Sequence, residues 1–269
     1  MLLVVKIGGS ILREGASSDL MFDLKGLLKE NQLILVHGGG AEVTEVAAKL
    51  GKKQQFIISP EGFRSRYTDK ETIEIYSMVM AGKINKEIVA ALQSQQVRAI
   101  GLTGVDGALL KGERKKRLIV VDERGRKKVI DGGYTGKIIG SNAELLRLLL
   151  AEGYVPVVTP IALGTDFELL NIDGDRTAAF LAGVLRADKL VLLTDVSGLI
   201  LNGKLVSRIT DEEVSRALLG VGPGMSTKVH AALEALSQGV SEVIITAGSG
   251  KNPVSAAIKH ECGTVITRE

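Results

Sequence analysis

The sequence predicts an α/β fold built on a doubly wound, mainly parallel sheet. Three observations carry that expectation. Short apolar, β-branched runs recur along the chain, each run ends in glycine or a polar turn, and a helix-period stretch then leads to the next run. Runs without polar alternation suit strands buried on both faces, as when helices cover both sides of a parallel sheet.

In chain order the strand runs are Leu3-Val4-Val5-Lys6-Ile7, Leu33-Ile34-Leu35-Val36, Ala99-Ile100-Gly101-Leu102, Val155-Pro156-Val157-Val158, Leu190-Val191-Leu192-Leu193 and Val243-Ile244-Ile245. Helical patterns cover 18–30, 41–50, 70–95, 141–152, 175–186, 211–219, 225–239 and 253–260. Thr68-Asp69-Lys70-Glu71 and Ser141-Asn142-Ala143-Glu144 offer short polar side chains that can cap a first turn. Two stretches break the rhythm. Residues 108–130 alternate apolar and charged side chains around Asp122-Glu123-Arg124-Gly125, predicting an antiparallel hairpin, and 198–206 carry the tight-turn signal Asn202-Gly203. No linker is rich in Pro or Ser, so any two lobes must share one sheet.

The 269 residues contain a single cysteine, Cys262. That excludes a disulfide framework and a Cys-based zinc site, and it fits a reducing cytoplasm. No apolar run approaches the roughly 18–20 residues of a membrane helix, and Met1-Leu2-Leu3-Val4-Val5-Lys6 does not read as a signal peptide. Aromatics make up 3% with no Trp, which argues against nucleic-acid binding by base stacking. The net charge of +3 is uneven: residues 111–128 hold nine basic and three acidic side chains, leaving the rest of the chain net acidic.

A parallel sheet opens its ligand crevice at the carboxyl ends of its strands. There stand Lys6-Ile7-Gly8-Gly9-Ser10 and His37-Gly38-Gly39-Gly40. Glycines ahead of a helix leave bare N–H groups for anionic oxygens; the alternative is a tight turn needing positive φ. Two such loops beside a strand-end lysine favour the anion site. No Walker A loop, no Gly-x-Gly-x-x-Gly after a strand, no Gly-x-Ser-x-Gly elbow and no metal-ligand spacing among His37, His230 and His260 occurs. The remaining polar clusters are Arg64-Ser65-Arg66-Tyr67-Thr68-Asp69, Asn171-Ile172-Asp173-Gly174-Asp175, Thr194-Asp195-Val196-Ser197-Gly198 and Gly222-Pro223-Gly224-Met225-Ser226-Thr227-Lys228. Asp175 either caps the 176–186 helix or serves chemistry. Lys228 falls in the expected first turn of the 225–239 helix, against the helix dipole.

In this order, and with Gly101-x-Thr103-Gly104-x-Asp106-Gly107 between them, these motifs resemble the amino-acid kinase family over essentially the whole chain, and most closely its acetylglutamate-kinase-like branch. The strings Arg64-Ser65-Arg66-Tyr67-Thr68, Gly133-Tyr134-Thr135-Gly136-Lys137 and Asn171-Ile172-Asp173-Gly174-Asp175 look like the kinases of LysW-dependent pathways. Those enzymes phosphorylate α-aminoadipate or glutamate whose amino group is linked to a small acidic carrier protein. The chain lacks the helical extension before Lys6 that accompanies arginine feedback inhibition in the family.

The resemblance implies a three-layer αβα sandwich with a mainly parallel central sheet. It implies a substrate lobe at 1–172 and an ATP lobe at 173–269, with Mg2+ arriving on the nucleotide phosphates. Lys6 and Lys228 are carried over as transition-state stabilisers and Asp175 as the group that orients both. Gly8, Gly9, Gly39 and Gly40 would bind phosphoryl and acyl oxygens, Arg66 the substrate α-carboxylate and Asn171 its amide. Thr194, Asp195, Gly222, Gly224 and Met225 would border the nucleotide. The carrier would dock on the basic segment through Arg114, Lys115, Lys116, Arg117, Arg126, Lys127 and Lys128. A homodimer built partly on the 70–95 helix, around Met78, Val79 and Met80, is also implied. The other readings are a kinase of free N-acetylglutamate and a non-catalytic nucleotide-binding regulator, the latter disfavoured because Lys6, Asp175 and Lys228 are all present. A solvated face is the alternative for the basic segment.

Overall fold

The computed structural model describes residues 1–13, 15, 17–218 and 221–269. The central sheet holds β1 (Leu2–Ile7), β2 (Gln32–His37), β3 (Ala99–Thr103), β4 (Val155–Thr159), β5 (Lys189–Thr194), β6 (Arg208–Thr210), β7 (Glu242–Ala247) and β8 (Thr264–Thr267). Their spatial order is β6-β8-β7-β5-β1-β2-β4-β3. The β7–β8 pairing is antiparallel and all the others are parallel.

The helices are α1 (Ser18–Leu27), α2 (Gly40–Lys49), α3 (Lys70–Ser77), α4 (Asn85–Ser94), α5 (Ala143–Ala151), α6 (Gly174–Leu185), α7 (Asp211–Ala217), α8 (Pro223–Ser237) and α9 (Pro253–Ile258). Alternate residues of each strand face opposite layers. Val4, Ile34, Val158, Leu192 and Val243 pack under α5, α6, α7 and α8. Leu3, Val5, Leu35, Val157 and Val191 pack under α1, α2, α3, α4 and α9. The three-layer αβα sandwich is therefore present, and both faces of the inner strands are dry because their side chains are apolar on both.

All six strand runs read from the sequence form central strands. The 198–206 hairpin is also present: Ile200–Leu201 pairs with Lys204–Leu205 across Asn202 (φ 52°) and Gly203 (φ 74°), the positive φ pair that a tight hairpin turn requires. Three expectations need correction, and the open alternative for Asp175 is decided. The 108–130 stretch is not one hairpin. Leu110–Arg114 joins a second sheet with Gly136–Ser141, Ile161–Gly164 and Leu169–Asn171, and only Arg117–Val121 and Lys127–Asp131 form the ribbon. The 70–95 helix is not continuous, because Met78–Ile84 winds as a π-helix between α3 and α4. Asp173, not Asp175, caps α6, its carboxylate accepting from the Arg176 amide at 2.9 Å. Finally, α8 starts at Pro223 after the Gly222 cap, so Lys228 lies in the second turn, where the helix dipole opposes a cation less. The expected 211–219 helix runs to Ala217 within the described residues, and Leu219 lies outside them.

Candidate active site

The chain enters the sheet at β1 and extends it in one direction through β2, β4 and β3. From β5 onward it builds the other side. The order reverses at β1, and the carboxyl ends of β1, β2 and β5 meet at that switch point, the place where open α/β sheets bind ligands.

Asp175 stands there in the first turn of α6, freed from capping by Asp173. Its Oδ1 lies 2.7 Å from Lys6 Nζ and its Oδ2 3.3 Å from Lys228 Nζ. Lys6 and Asp175 are 7% and 5% exposed. Burial works against the charge of each, but the two ammonium groups win at Asp175, whose pKa lies below the usual carboxylate range. Likewise Asp175 outweighs burial at Lys6, whose pKa lies above the usual lysine value. These three charges carry one net positive charge into a nearly dry site, and neighbouring Asp173 is pushed above the usual carboxylate range by burial and by Asp175. Such a site attracts an anion strongly, because its cations are already desolvated and held.

The glycine loops flank this triad. None of Gly8, Gly9, Gly38, Gly39 and Gly40 adopts a positive φ turn. At Gly8, Gly9 and Gly38 the role is close approach. A Cβ on Gly9 would sit 2.7 Å from the Gly39 nitrogen, one on Gly38 2.8 Å from the Gly9 nitrogen, and one on Gly8 2.8 Å from the Leu193 carbonyl. The Gly8 amide donates to that same carbonyl at 3.0 Å, so it is spent on structure. The Gly9 and Gly39 amides donate to no backbone carbonyl among the described residues.

From the triad a cleft of about 860 Å³ runs to the edge of the molecule. Lys6, Gly39, Gly40, Arg66, Asn171 and Asp175 line it, together with Lys115 of the basic segment. Arg66 donates to Gly40 O at 2.7 Å, to Thr44 Oγ1 at 2.9 Å and to Gln54 Oε1. Guanidinium carries five N–H donors, so two remain for a ligand. Asn171 donates through Nδ2 to Thr68 Oγ1 at 2.9 Å, which leaves its side-chain carbonyl to the cleft. The hairpin Phe56–Ile58 with Arg64–Arg66 roofs this region, and the loop between its strands reaches α8, where Phe63 meets His230 edge-on at 5.3 Å between ring centroids.

Other expected residues stand apart from the cleft wall. Thr194 ends β5 beside Gly8 and Asp195 follows it, with the Thr194 hydroxyl donating to Asp195 Oδ1 at 3.1 Å. Gly222, Gly224 and Met225 form the start of α8, which carries Lys228. In the basic segment, Arg114 turns inward, its Nε donating to Gly133 O at 2.5 Å and its guanidinium lying 4.5 Å over the Tyr134 ring. Arg126 and Lys128 pair with Asp122 at 3.0 and 3.4 Å. Lys116, Arg117 and Lys127 are exposed. Burial, with Arg176 and Lys137 close by, lowers the Lys115 pKa.

Sequence reasoning passes over a buried group behind the loops: His37, Asn85 and Thr159. In the sequence His37 stands as an isolated histidine, whereas in the fold Asn85 sits among its buried neighbours at the end of the π segment. A sequence signal for that segment exists, since Tyr76, Met80, Ile84, Ile88 and Leu92 are buried at every fourth position, a longer period than the 3.6 of an α-helix. Among the described residues no group of three or more His, Cys, Asp and Glu side chains is arranged to hold a metal ion, and no helix is long and apolar enough to cross a membrane.

Comparison with known proteins agrees with this architecture. At fold level the chain superposes on N-acetylglutamate synthase from Neisseria gonorrhoeae with a TM-score of 0.83 at 24% identity, covering 100% of this chain and 59% of that one. Carbamate kinase from Giardia lamblia gives 0.71 at 16% identity, covering 100% and 98%. In sequence, the chain is 45% identical over 266 residues to a Sulfolobus acidocaldarius protein named LysW-aminoadipate/LysW-glutamate kinase, covering 98% of this chain and 100% of that one. A Cenarchaeum symbiosum protein given the same name provisionally is 52% identical over 265 residues, covering 98% and 99%. The profile of the Amino acid kinase family matches residues 1–247. A match over most of the chain, with relatives above 40% identity along its whole length, leads to one conclusion: the chain belongs to the amino acid kinase family.

Proposed function

We propose that this chain is an ATP-dependent kinase. Its acceptor is the side-chain carboxylate of α-aminoadipate or glutamate whose amino group is held by an acidic, LysW-type carrier protein. The names of the full-length relatives support the substrate class. The observation that carries the chemistry is the buried Asp175 bridging Lys6 and Lys228 at the inner end of the cleft.

A side-chain carboxylate has a pKa near ~4.3 and is already ionised at neutral pH, so the reaction needs no general base. The obstacle is to bring one anion to another. A carboxylate oxygen forms the new bond to the γ-phosphorus while the bond to the β–γ bridging oxygen breaks, and ADP leaves with that electron pair. Lys6 and Lys228 offset the charge shared by the incoming and leaving oxygens, and Asp175 keeps both ammonium groups aimed. The Gly9, Gly39 and Gly40 amides receive phosphoryl and acyl oxygens, while Gly8 serves by close approach. The two remaining N–H groups of Arg66 take the substrate α-carboxylate, and the Asn171 carbonyl takes the amide N–H. Mg2+ bound to the phosphates supplies further charge neutralisation.

In this reading residues 1–172 form the amino-acid lobe and 173–269 the nucleotide lobe, with Thr194, Asp195, Gly222, Gly224 and Met225 bordering the nucleotide. The enzyme works in the cytoplasm as a homodimer that uses the 70–94 segment, where Met78 is 58% exposed while Val79 and Met80 are core. A monomeric mass by light scattering at micromolar concentration would remove the dimer from the proposal. One methylene separates the two acceptors, a difference pockets discriminate by only ~1–3 kcal/mol, so both are turned over. Trapping the acyl phosphate with hydroxylamine, using MgATP and each carrier-linked acceptor, tests the reaction: hydroxamate should form with both, and ATP binding without hydroxamate would leave only a nucleotide-binding regulator.

A further inference from the structure

We infer that Asn85 is a positioning residue, which fixes the His37-Gly38-Gly39-Gly40 loop from behind through the His37 imidazole. The inference rests on the phosphoryl-transfer reading of that loop.

Asn85 is 1% exposed and opens α4 directly after the π segment. Its Nδ2 donates to Val157 O at 2.8 Å and to Thr159 Oγ1 at 3.1 Å, and lies 3.4 Å from His37 Nε2. His37 is fully buried, with Nε2 2.9 Å from Thr159 Oγ1 and Nδ1 3.0 Å from the Gly38 carbonyl. A carbonyl can only accept, so the proton belongs on Nδ1 and Nε2 accepts from the Thr159 hydroxyl. Burial, with Lys6 and Lys86 nearby, pushes the imidazole down to about 4, which keeps it neutral and in that tautomer at neutral pH. Every polar atom of the group then has a partner. The chain of contacts continues forward, since the Gly38 and Gly9 backbones are packed too closely for a Cβ between them.

The π segment explains how a helix delivers an amide to this spot. Buried positions spaced by four drift about 40° per step around an α-helix, so the stripe from Tyr76 to Leu92 would wind away from the sheet. The wider turns of Met78–Ile84 take up drift and leave Ile84 and Asn85 both facing inward. A second feature guards the same amide. Gly101 of β3 faces Asn85 so closely that a Cβ there would overlap Asn85 Oδ1. Lys86 Nζ ties the two together, donating to Asn85 Oδ1 at 3.1 Å and to Gly101 O at 3.3 Å.

The test uses the full chain and four variants: Asn85→Ala, the isosteric Asn85→Asp, Gly101→Ala and the double variant Asn85→Ala/Gly101→Ala. Asn85→Ala should lower kcat on the order of 10- to 100-fold, the scale of a slightly misplaced reacting group, while KM for ATP moves less than about threefold. Hydrogen exchange at the Gly38 amide, which donates to Ile7 O at 2.8 Å, should quicken, and 15N spectra should show His37 leaving the single Nδ1–H tautomer. Gly101→Ala should give the same pattern, and in the double variant it should add nothing. Where Asn85→Ala does not fold, Asn85→Asp, which keeps the shape and removes both donors, reads the same quantities. A folded variant with unchanged kcat and unchanged glycine exchange, or fully additive losses in the double variant, would overturn the assignment. If the unaltered chain transfers no phosphoryl group at all, the kinase reading fails, while the tautomer and exchange measurements still decide whether Asn85 holds the loop.

Discussion

Asp175 divides its two carboxylate oxygens between lysines from opposite halves of the chain: Oδ1 is 2.7 Å from Lys6 on β1 and Oδ2 is 3.3 Å from Lys228 on α8. The arrangement exists because Asp173 takes the capping bond two residues earlier. Burial disfavours the charge of Asp175 and that of Lys6, and the attraction between them outweighs it at both.

Removing either cation should therefore hurt chemistry more than folding. Lys6→Ala and Lys228→Ala are each expected to lower kcat at least ~100-fold, with circular dichroism unchanged, because each leaves Asp175 one partner. Asp175→Ala differs. It strands two buried ammonium groups, and breaking a buried pair from one side costs ~3–5 kcal/mol, so its denaturation midpoint should fall along with kcat. Near-normal kcat in the Lys228 variant would take that residue out of the mechanism.

His37 gives a stability signature in mild acid. Its folded pKa is lowered to about 4 from 6.5, so between those values the unfolded chain binds a proton that the folded chain refuses. Stability should then fall as pH drops from about 6.5 towards 4, by ~2–3 kcal/mol in total. Asp175 acts later: its depressed pKa means its contribution is present above the unfolded carboxylate value and is lost only as pH falls through the lower folded one. Urea melts from pH 7 to 4.5 on the parent and on His37→Gln should show the slope in the first and a shallower one in the second. Equal slopes would mean another group is responsible.

Much of this architecture is legible in the sequence, for identifiable physical reasons. Inner strands such as Leu190-Val191-Leu192-Leu193 are apolar on both faces, and a short β-branched run of that kind is buried most readily in a sheet covered by helices on both sides. Arg208–Thr210, Phe56–Ile58 and Arg64–Arg66 are not legible as strands, because three-residue segments are too short to show a period. Lys6, Arg66, Asn171 and Asp175 announce themselves as charged or polar groups at strand ends and turns. Which aspartate caps α6 depends on one residue of helix phase, a distinction local patterning does not resolve. Asn85 is hidden for a similar reason: an α-helical reading of 70–95 does not single out its inward orientation, which follows a π turn.

The glycine loops predict a steric result. Gly9→Ala places a methyl group 2.7 Å from the Gly39 nitrogen, with backbone rather than a flexible side chain as the obstacle. The loops must separate, and kcat should fall on the order of 100-fold. Gly26→Ala, in α1 with open space around its Cα, is the control and should leave kcat within twofold of the parent, about the noise of such assays.

For the basic ribbon, pairing narrows which charges can act at a distance. Of the seven expected docking residues, Arg126 and Lys128 are paired with Asp122 and Arg114 is turned inward. Lys115, though exposed, lines the cleft, so the exposed cations left outside the cleft are Lys116, Arg117 and Lys127. Reversing these three to Glu should raise KM for the carrier-linked acceptor and flatten its salt dependence, since screening acts over ~8–10 Å, while KM for ATP stays constant. An unchanged salt slope would identify the ribbon as a solvated face.

The most direct measurement compares kcat/KM for carrier-linked glutamate or aminoadipate with that for free N-acetylglutamate, at fixed MgATP and ionic strength. A cleft that extends from the lysine–aspartate bridge past Arg66 and Asn171 to Lys115 should favour the carrier-linked acceptor by at least ~100-fold, about 3 kcal/mol of transition-state binding contributed by the carrier. Equal values for the two, or preference for the free acid, would contradict a carrier-linked substrate and make this a kinase of the small molecule alone.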